Sequence, residues 1–151
     1  MAMREITSEE VSKLYDCIRE LSEYHNTKSV NFKGIYPLKP YEKTLESFKE
    51  ALRNKESYIA VTEIENQIIG FCKVDINGEN GKLDYLVVKE EFRGKGFGKK
   101  LMDWAMLKFN MNNVRHIEVK VIDGNPTIHL YEKYGFRMKS LILGIERKCL
   151  Y

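Results

Sequence analysis

Leu83-Asp84-Tyr85-Leu86-Val87-Val88-Lys89-Glu90-Glu91-Phe92-Arg93-Gly94-Lys95-Gly96-Phe97-Gly98-Lys99 is the segment from which the rest of the chain can be read. Its first six residues are apolar, aromatic or β-branched apart from Asp84, which predicts a mostly buried strand. Beyond the segment, Leu101, Trp104, Ala105, Lys108 and Phe109 recur at three- and four-residue spacing, which predicts an amphipathic helix. Between strand and helix the glycines fall at alternate positions, 94, 96 and 98, with basic residues interleaved. Glycine lets the backbone turn sharply and present its N–H groups without Cβ interference. At a helix N-terminus those donors, together with the macrodipole, favour an anion. The arrangement is a seat for a phosphate group.

The glycine spacing narrows the ligand. A dinucleotide fingerprint, Gly-x-Gly-x-x-Gly, would need its third glycine one residue later than Gly98. A P-loop needs Ser or Thr after Gly-Lys to hold magnesium, and Gly98-Lys99 is followed by Lys100. Arg93-Gly94-Lys95-Gly96-Phe97-Gly98 after a Leu-Val-Val strand instead resembles the acyl-CoA loop of the GNAT-type N-acetyltransferase superfamily. That resemblance implies a pyrophosphate seat made by Arg93, Gly94, Lys95, Gly96, Phe97, Gly98 and Lys99.

Bulk properties exclude several classes. A chain of 151 residues is long enough to bury a full core, and is read as one domain over 1–151. Hydrophobic content of 43% against 31% charged residues excludes a disordered chain. A formal charge of +3 is too small an excess to argue for nucleic acid, and Glu90, Glu91 and Asp103 break up the basic residues around the loop. No apolar run approaches a membrane span, and Met1-Ala2-Met3-Arg4-Glu5 lacks a signal-peptide apolar core. Cys17, Cys72 and Cys149 are scattered, without zinc spacing or a disulfide framework. The expectation is a reduced, cytoplasmic protein with no metal and no membrane partner.

Upstream, Thr7-x-x-Glu10 reads as a capping box for a first helix whose face is Val11, Leu14, Tyr15, Ile18 and Leu21, ending at Tyr24-His25-Asn26. Pro37 and Pro40 mark an irregular connection over 26–43, long enough to suggest function. A second helix carries Leu45, Phe48 and Leu52. Strands are expected at 58–61, 68–74 and 83–88, joined by turns at Glu65-Asn66 and 77–81. After the central helix, His116-Ile117-Glu118-Val119-Lys120-Val121 alternates as a strand. A short helix from Pro126 ends at Gly135, and 136–143 and 145–150 are expected to close the chain as one or two strands.

This order, α-α-β-β-β-α-β-α-β(-β), predicts an α/β (α+β type) fold with a mixed, largely antiparallel central sheet flanked by helices. The resemblance now extends over nearly the whole chain. Asn125-Pro126-Thr127-Ile128-His129-Leu130-Tyr131-Glu132-Lys133-Tyr134-Gly135-Phe136 is similar to the second GNAT motif, which ends Tyr-Glu-Lys-x-Gly-Phe. The two motifs together, one strand apart, are strongly specific. The implied activity is acetyl-CoA-dependent transfer of an acetyl group to a primary amine.

Such a transfer needs a polariser for the thioester carbonyl, an acid for the departing thiolate and a route for the ammonium proton. The resemblance implies that backbone N–H groups of Leu86, Val87 and Val88 polarise the carbonyl and that Tyr131 serves as the acid. Asp84 stands where some family members carry a catalytic glutamate, and is a candidate base or an electrostatic anchor for the amine. Glu118 is a weaker candidate. Asn125 matches a CoA-contacting asparagine, but lies one residue nearer the tyrosine than in many relatives, so helix capping competes with a cofactor role. None of the cysteines lies in either motif, which favours direct attack in a ternary complex. Phe32, Tyr36 and Tyr41 are candidates for an acceptor wall, and His25 for either that wall or a helix end. The short tail after Gly144 leaves room for a strand completed by a second protomer, which would make a homodimer. A non-catalytic acyl-CoA sensor is the alternative function; it would need neither Tyr131 nor Asp84.

Overall fold

The structure, a computed structural model, describes residues 2–147. A five-stranded sheet runs in spatial order β1 (Ala2–Glu5), β2 (Ser57–Ile64), β3 (Gln67–Asn77), β4 (Asn80–Val88) and β5 (His116–Val119). All neighbours are antiparallel except β4 and β5, which are parallel and joined through α3 (Phe97–Met111). The mixed sheet and its flanking helices match the expected fold class. The Glu65-Asn66 turn takes left-handed backbone at both residues, the geometry that suits a two-residue hairpin.

Two apolar layers sandwich the sheet. On one face a 3₁₀ segment (Ser8–Leu14), α1 (Tyr15–Lys28) and α2 (Tyr41–Arg53) pack Val11, Leu14, Ile18 and Phe48 on Ile59, Val61, Phe71 and Val87. On the other, Leu101, Met102, Ala105 and Phe109 of α3 and Tyr131 of α4 (Ile128–Lys133) pack on Ala60, Cys72, Val74 and Leu83. Gly81 lets α3 approach, since a Cβ there would lie 2.6 Å from the Phe109 ring. Leu83 and Leu86 share a face, although strict alternation would place them on opposite sides. The reason is a bulge at Asp84: Lys73 pairs with Tyr85 and Val74 with Leu83, leaving Asp84 unpaired between them.

The ends of the chain depart from the sequence reading. β1 was not anticipated; its Arg4 captures the Glu10 carboxylate at 2.7 Å, so Glu10 does not close a capping box, and Thr7 makes no side-chain cap. That ion pair lowers the Glu10 carboxyl to about 2. The first turns are 3₁₀, and α1 continues past Asn26 to Lys28. Residues 136–147 form no strand, contrary to expectation. Leu141, Ile142 and Leu143 remain at least 72% exposed, because an apolar run becomes a strand only where a partner accepts its ladder. The end of that expected segment, 148–150, and Cys149 lie outside the described residues. No helix among the described residues is long and apolar enough to cross a membrane.

Candidate active site

β5 covers only the start of β4, with Asn80 to Leu83 opposite His116 to Val119. Beyond Leu83 the outer edge of β4 has no neighbouring strand among the described residues, and a cleft opens there. The chain leaving β5 is drawn away to the end of α1. Asp123 accepts hydrogen bonds from Ser29 Oγ at 2.8 Å and from the Val30 and Asn31 amides at 2.9 Å each. Those donors, the Asn31 amide foremost, hold the Asp123 carboxyl below the usual carboxylate range. Gly124 completes the clasp: its φ is +81°, and a Cβ would meet the Lys28 carbonyl oxygen at 2.4 Å.

Strand alternation decides which β4 amides face the cleft. The Lys89 amide donates to Ile69 O at 2.8 Å, and Val87 stands opposite Phe71, so Val87 belongs to the β3 ladder. Leu86 and Val88 therefore direct their N–H groups to the open edge. Arg93 Nε donating to Val88 O at 2.9 Å marks the same outward direction. Of the three amides expected to act together, the register brings Leu86 and Val88 to the cleft and turns Val87 away.

The glycine loop follows at the end of this edge. Gly94 and Gly96 have φ of +77° and +89°, and no atom lies within 4 Å of where their Cβ atoms would be. Gly96 caps α3 without any side-chain cap, and no acidic residue lies in the first turn. The Lys100 amide reaches Gly96 O at 3.2 Å, while the helical amides before it have no intrahelical carbonyl to bond. Lys95 lies over the Phe92 ring and Lys99 pairs with Asp103 at 3.0 Å, so basic groups flank the free amides. Arg93 lays its guanidinium 4.3 Å from the Tyr24 ring centroid, which ties the loop to the end of α1. Open space, free donors and positive charge fit a pyrophosphate.

Strand edge, loop and α1 enclose a cavity of about 730 Å³. Tyr131 lines it at 7% exposure, and its hydroxyl forms no hydrogen bond with the described residues. Burial raises its pKa well above the usual phenol value, so the group holds its proton. Tyr134 differs: its hydroxyl donates to Asp103 at 2.5 Å. Asn125 lines the cavity too, but its Oδ1 accepts the Thr127 amide at 3.0 Å, capping the turn before α4.

Asp84 lines the same cavity as one member of an ion-pair network. The buried Lys73 ammonium lies 2.7 Å from Asp84 and 2.6 Å from Asp75, above the Phe48 ring. Lys82 approaches the other Asp84 oxygen at 3.5 Å. Both Asp84 oxygens thus face ammonium groups. Glu118 is exposed, pairs with Lys139 at 2.7 Å and does not line the cavity.

Of the residues expected to form an acceptor wall, Tyr36 and Tyr41 line the cavity and Phe32 does not. Asn26 organises this loop: its Oδ1 accepts the Gly34 and Tyr36 amides at 2.9 and 3.0 Å, and its Nδ2 donates to Tyr36 O at 2.8 Å. Lys73, Asn26 and Asp123 carry no signal in the sequence, because each acts on a residue distant in sequence or inside an irregular loop. His25, a candidate for the wall or for a helix end, stands in the last turn of α1 and lines the cavity.

A family model described as "Acetyltransferase (GNAT) domain" matches residues 55–138, more than half of the chain and both motifs. The chain belongs to the GNAT acetyltransferase family. Over 91 residues, 60% of this chain, it is 26% identical to a putative [ribosomal protein bS18]-alanine N-acetyltransferase of Bacillus subtilis (strain 168). The matches span 60% and 52% of the lengths of two curated relatives, both called N-acetyltransferases. The fold resembles that of the PaiA N-acetyltransferase from Thermoplasma acidophilum in complex with coenzyme A, with TM-score 0.77, 19% identity and 93% and 92% of the two chains covered. It also resembles a Clostridium acetobutylicum structure described as a predicted acetyltransferase with acetyl-CoA, with TM-score 0.73, 19% identity and 96% and 95% coverage. Among the described residues no group of His, Cys, Asp and Glu is placed to hold a metal.

Proposed function

We propose that this GNAT protein transfers an acetyl group from acetyl-CoA to a primary amine by direct attack in a ternary complex. The observation that carries the proposal is the cleft joining outward strand amides, the glycine cradle and a protonated Tyr131 hydroxyl without a hydrogen-bond partner among the described residues. Acetyl-CoA supplies the acetyl group as an activated thioester. The loop from Arg93 to Lys99 binds its pyrophosphate through backbone N–H groups and nearby ammonium charge. Leu86 and Val88 N–H groups are the donors for the oxygen on which negative charge develops. Tyr131 Oη holds a proton ready for sulfur. Asp84, neutralised on one side by Lys73, orients the incoming amine electrostatically.

The cysteines at 17 and 72 support direct transfer. Both are buried, burial pushes the Cys17 thiol up to about 12 and Cys72 higher, and neither lines the cavity. A cavity of this size admits an amine on a small molecule or at a peptide end. Titration calorimetry with acetyl-CoA, followed by thiol release across amines, polyamines, amino acids and peptide N-termini, tests the reading. Binding with amine-dependent release that Tyr131→Phe depresses supports it. Binding without release, indifferent to that substitution, would favour an acyl-CoA sensor.

A further inference from the structure

The acetyl acceptor must lose a proton as it attacks, and Asp84, held by Lys73 and Lys82, is poorly placed to take it. Another side chain in the cavity wall has no such commitment. His25, in the last turn of α1, lines the cavity with its ring edge-on to Tyr36 at 5.3 Å between centroids. Neither ring nitrogen forms a hydrogen bond with the described residues. Neither nitrogen is sealed off either, because no buried side-chain nitrogen or oxygen among the described residues is left without a partner. A half-buried imidazole in the cavity wall, with both nitrogens accessible and free of protein partners among the described residues, is an unused acid–base group.

Its neighbour ties this end of α1 to the cleft. Tyr24 underlies the Arg93 guanidinium, and Arg93 bonds Val88 O, so the end of α1 is docked at the part of β4 whose amides face the cleft. We infer that His25 is the general base that accepts a proton from the acceptor amine, an inference resting on the acetyltransferase reading above. In the balanced step, the amine nitrogen bonds to the acetyl carbon as the carbon–sulfur bond breaks with its electron pair on sulfur. One N–H proton passes to His25 and the Tyr131 proton passes to sulfur. His25 then releases its proton to solvent as Tyr131 regains one.

Burial keeps the imidazole in its neutral, proton-accepting form near neutral pH. Burial lowers its pKa below the ordinary histidine value. Lys39 lines the cavity from the loop before α2, Lys82 and Asp84 from β4, Arg93 from the glycine loop and Lys120 from beyond β5. The Tyr36, Tyr85 and Tyr131 phenols of the same wall are all raised by burial and so uncharged. Asp84 is the acid of this wall, and Lys73 already compensates it. Burial, rather than any one of these charges, is what disfavours a positive charge on His25.

The test uses the whole protein, His25→Gln, His25→Asn and, as a control, His116→Gln at an exposed position. For the best amine in the acceptor panel, native thiol release should show an acid limb set by a group below the ordinary histidine pKa. Both His25 variants should bind acetyl-CoA as native, lose about 10²-fold in kcat/KM at neutral pH and lose that limb. The control should change neither. As a readout independent of turnover, adding the same amine to the CoA-loaded native protein should shift the His25 imidazole NMR signals. Native rates and pH dependence in the His25 variants, or imidazole signals that ignore the amine, would overturn the inference while leaving the acetyltransferase reading standing. If native protein transfers acetyl to no amine, both fall.

Discussion

Gly124→Ala probes the clasp that holds the cleft open. Gly124 sits at φ +81°, a left-handed conformation that costs a residue with a side chain about 1–3 kcal/mol. The added methyl would also lie 2.4 Å from the Lys28 carbonyl oxygen, a backbone atom that cannot swing aside. Relief means pulling the 121–125 loop from α1, which loosens the three hydrogen bonds to Asp123. Adding about 1 kcal/mol for that loosening gives a loss of about 2–4 kcal/mol. At about 2–4 °C per kcal/mol for a domain of this size, Tm should fall by about 5–15 °C in a thermal melt. Because the clasp borders the proposed acceptor side and not the glycine loop, KM for the amine should rise more than Kd for acetyl-CoA. A Tm within about 2 °C of native would refute the reasoning, as would equal losses for amine and cofactor.

Tyr131→Phe should leave acetyl-CoA affinity near native and cut kcat by about 10²-fold, measured by thiol release, if the hydroxyl protonates sulfur. Lys73→Met should destabilise the fold by about 3 kcal/mol in urea, because Asp75 and Asp84 lose the buried ammonium they share. The Asp123 carboxyl is held below its unfolded pKa, so its contribution is present above about pH 4 and is lost as pH falls through the lower folded value. The Val30 and Asn31 amide signals should accordingly move towards loop-like shifts in that acid window and hold steady above it.

The centre of the chain was legible because local chemistry and tertiary role coincide there. Alternate glycines after an apolar strand are needed for the turn itself, and Gly94 and Gly96 do take left-handed backbone. The hairpin at Glu65-Asn66 and the helix stop at Gly135 follow from turn chemistry in the same way. The expected strands at 136–143 and 145–150, as far as the described residues reach, misled for the converse reason: their apolar character is compatible with a strand, but pairing depends on a partner that local sequence does not specify. β1 was missed because a four-residue edge strand carries little pattern. At the site, side-chain identity could not show that Asp84 sits in a bulge and is captured by Lys73, eleven residues away, nor that Val87 faces the ladder. His25 needed the fold to bring α1 against the end of β4.

Acetyl-CoA titrated calorimetrically into the native protein, with amine acetylation followed by mass spectrometry on the same preparation, tests the central claim most directly. The account predicts saturable one-site binding that charge reversal at Lys95 and Lys99 weakens, together with acetylated product from at least one class of primary amine. No heat of binding and no acetylated product would contradict it.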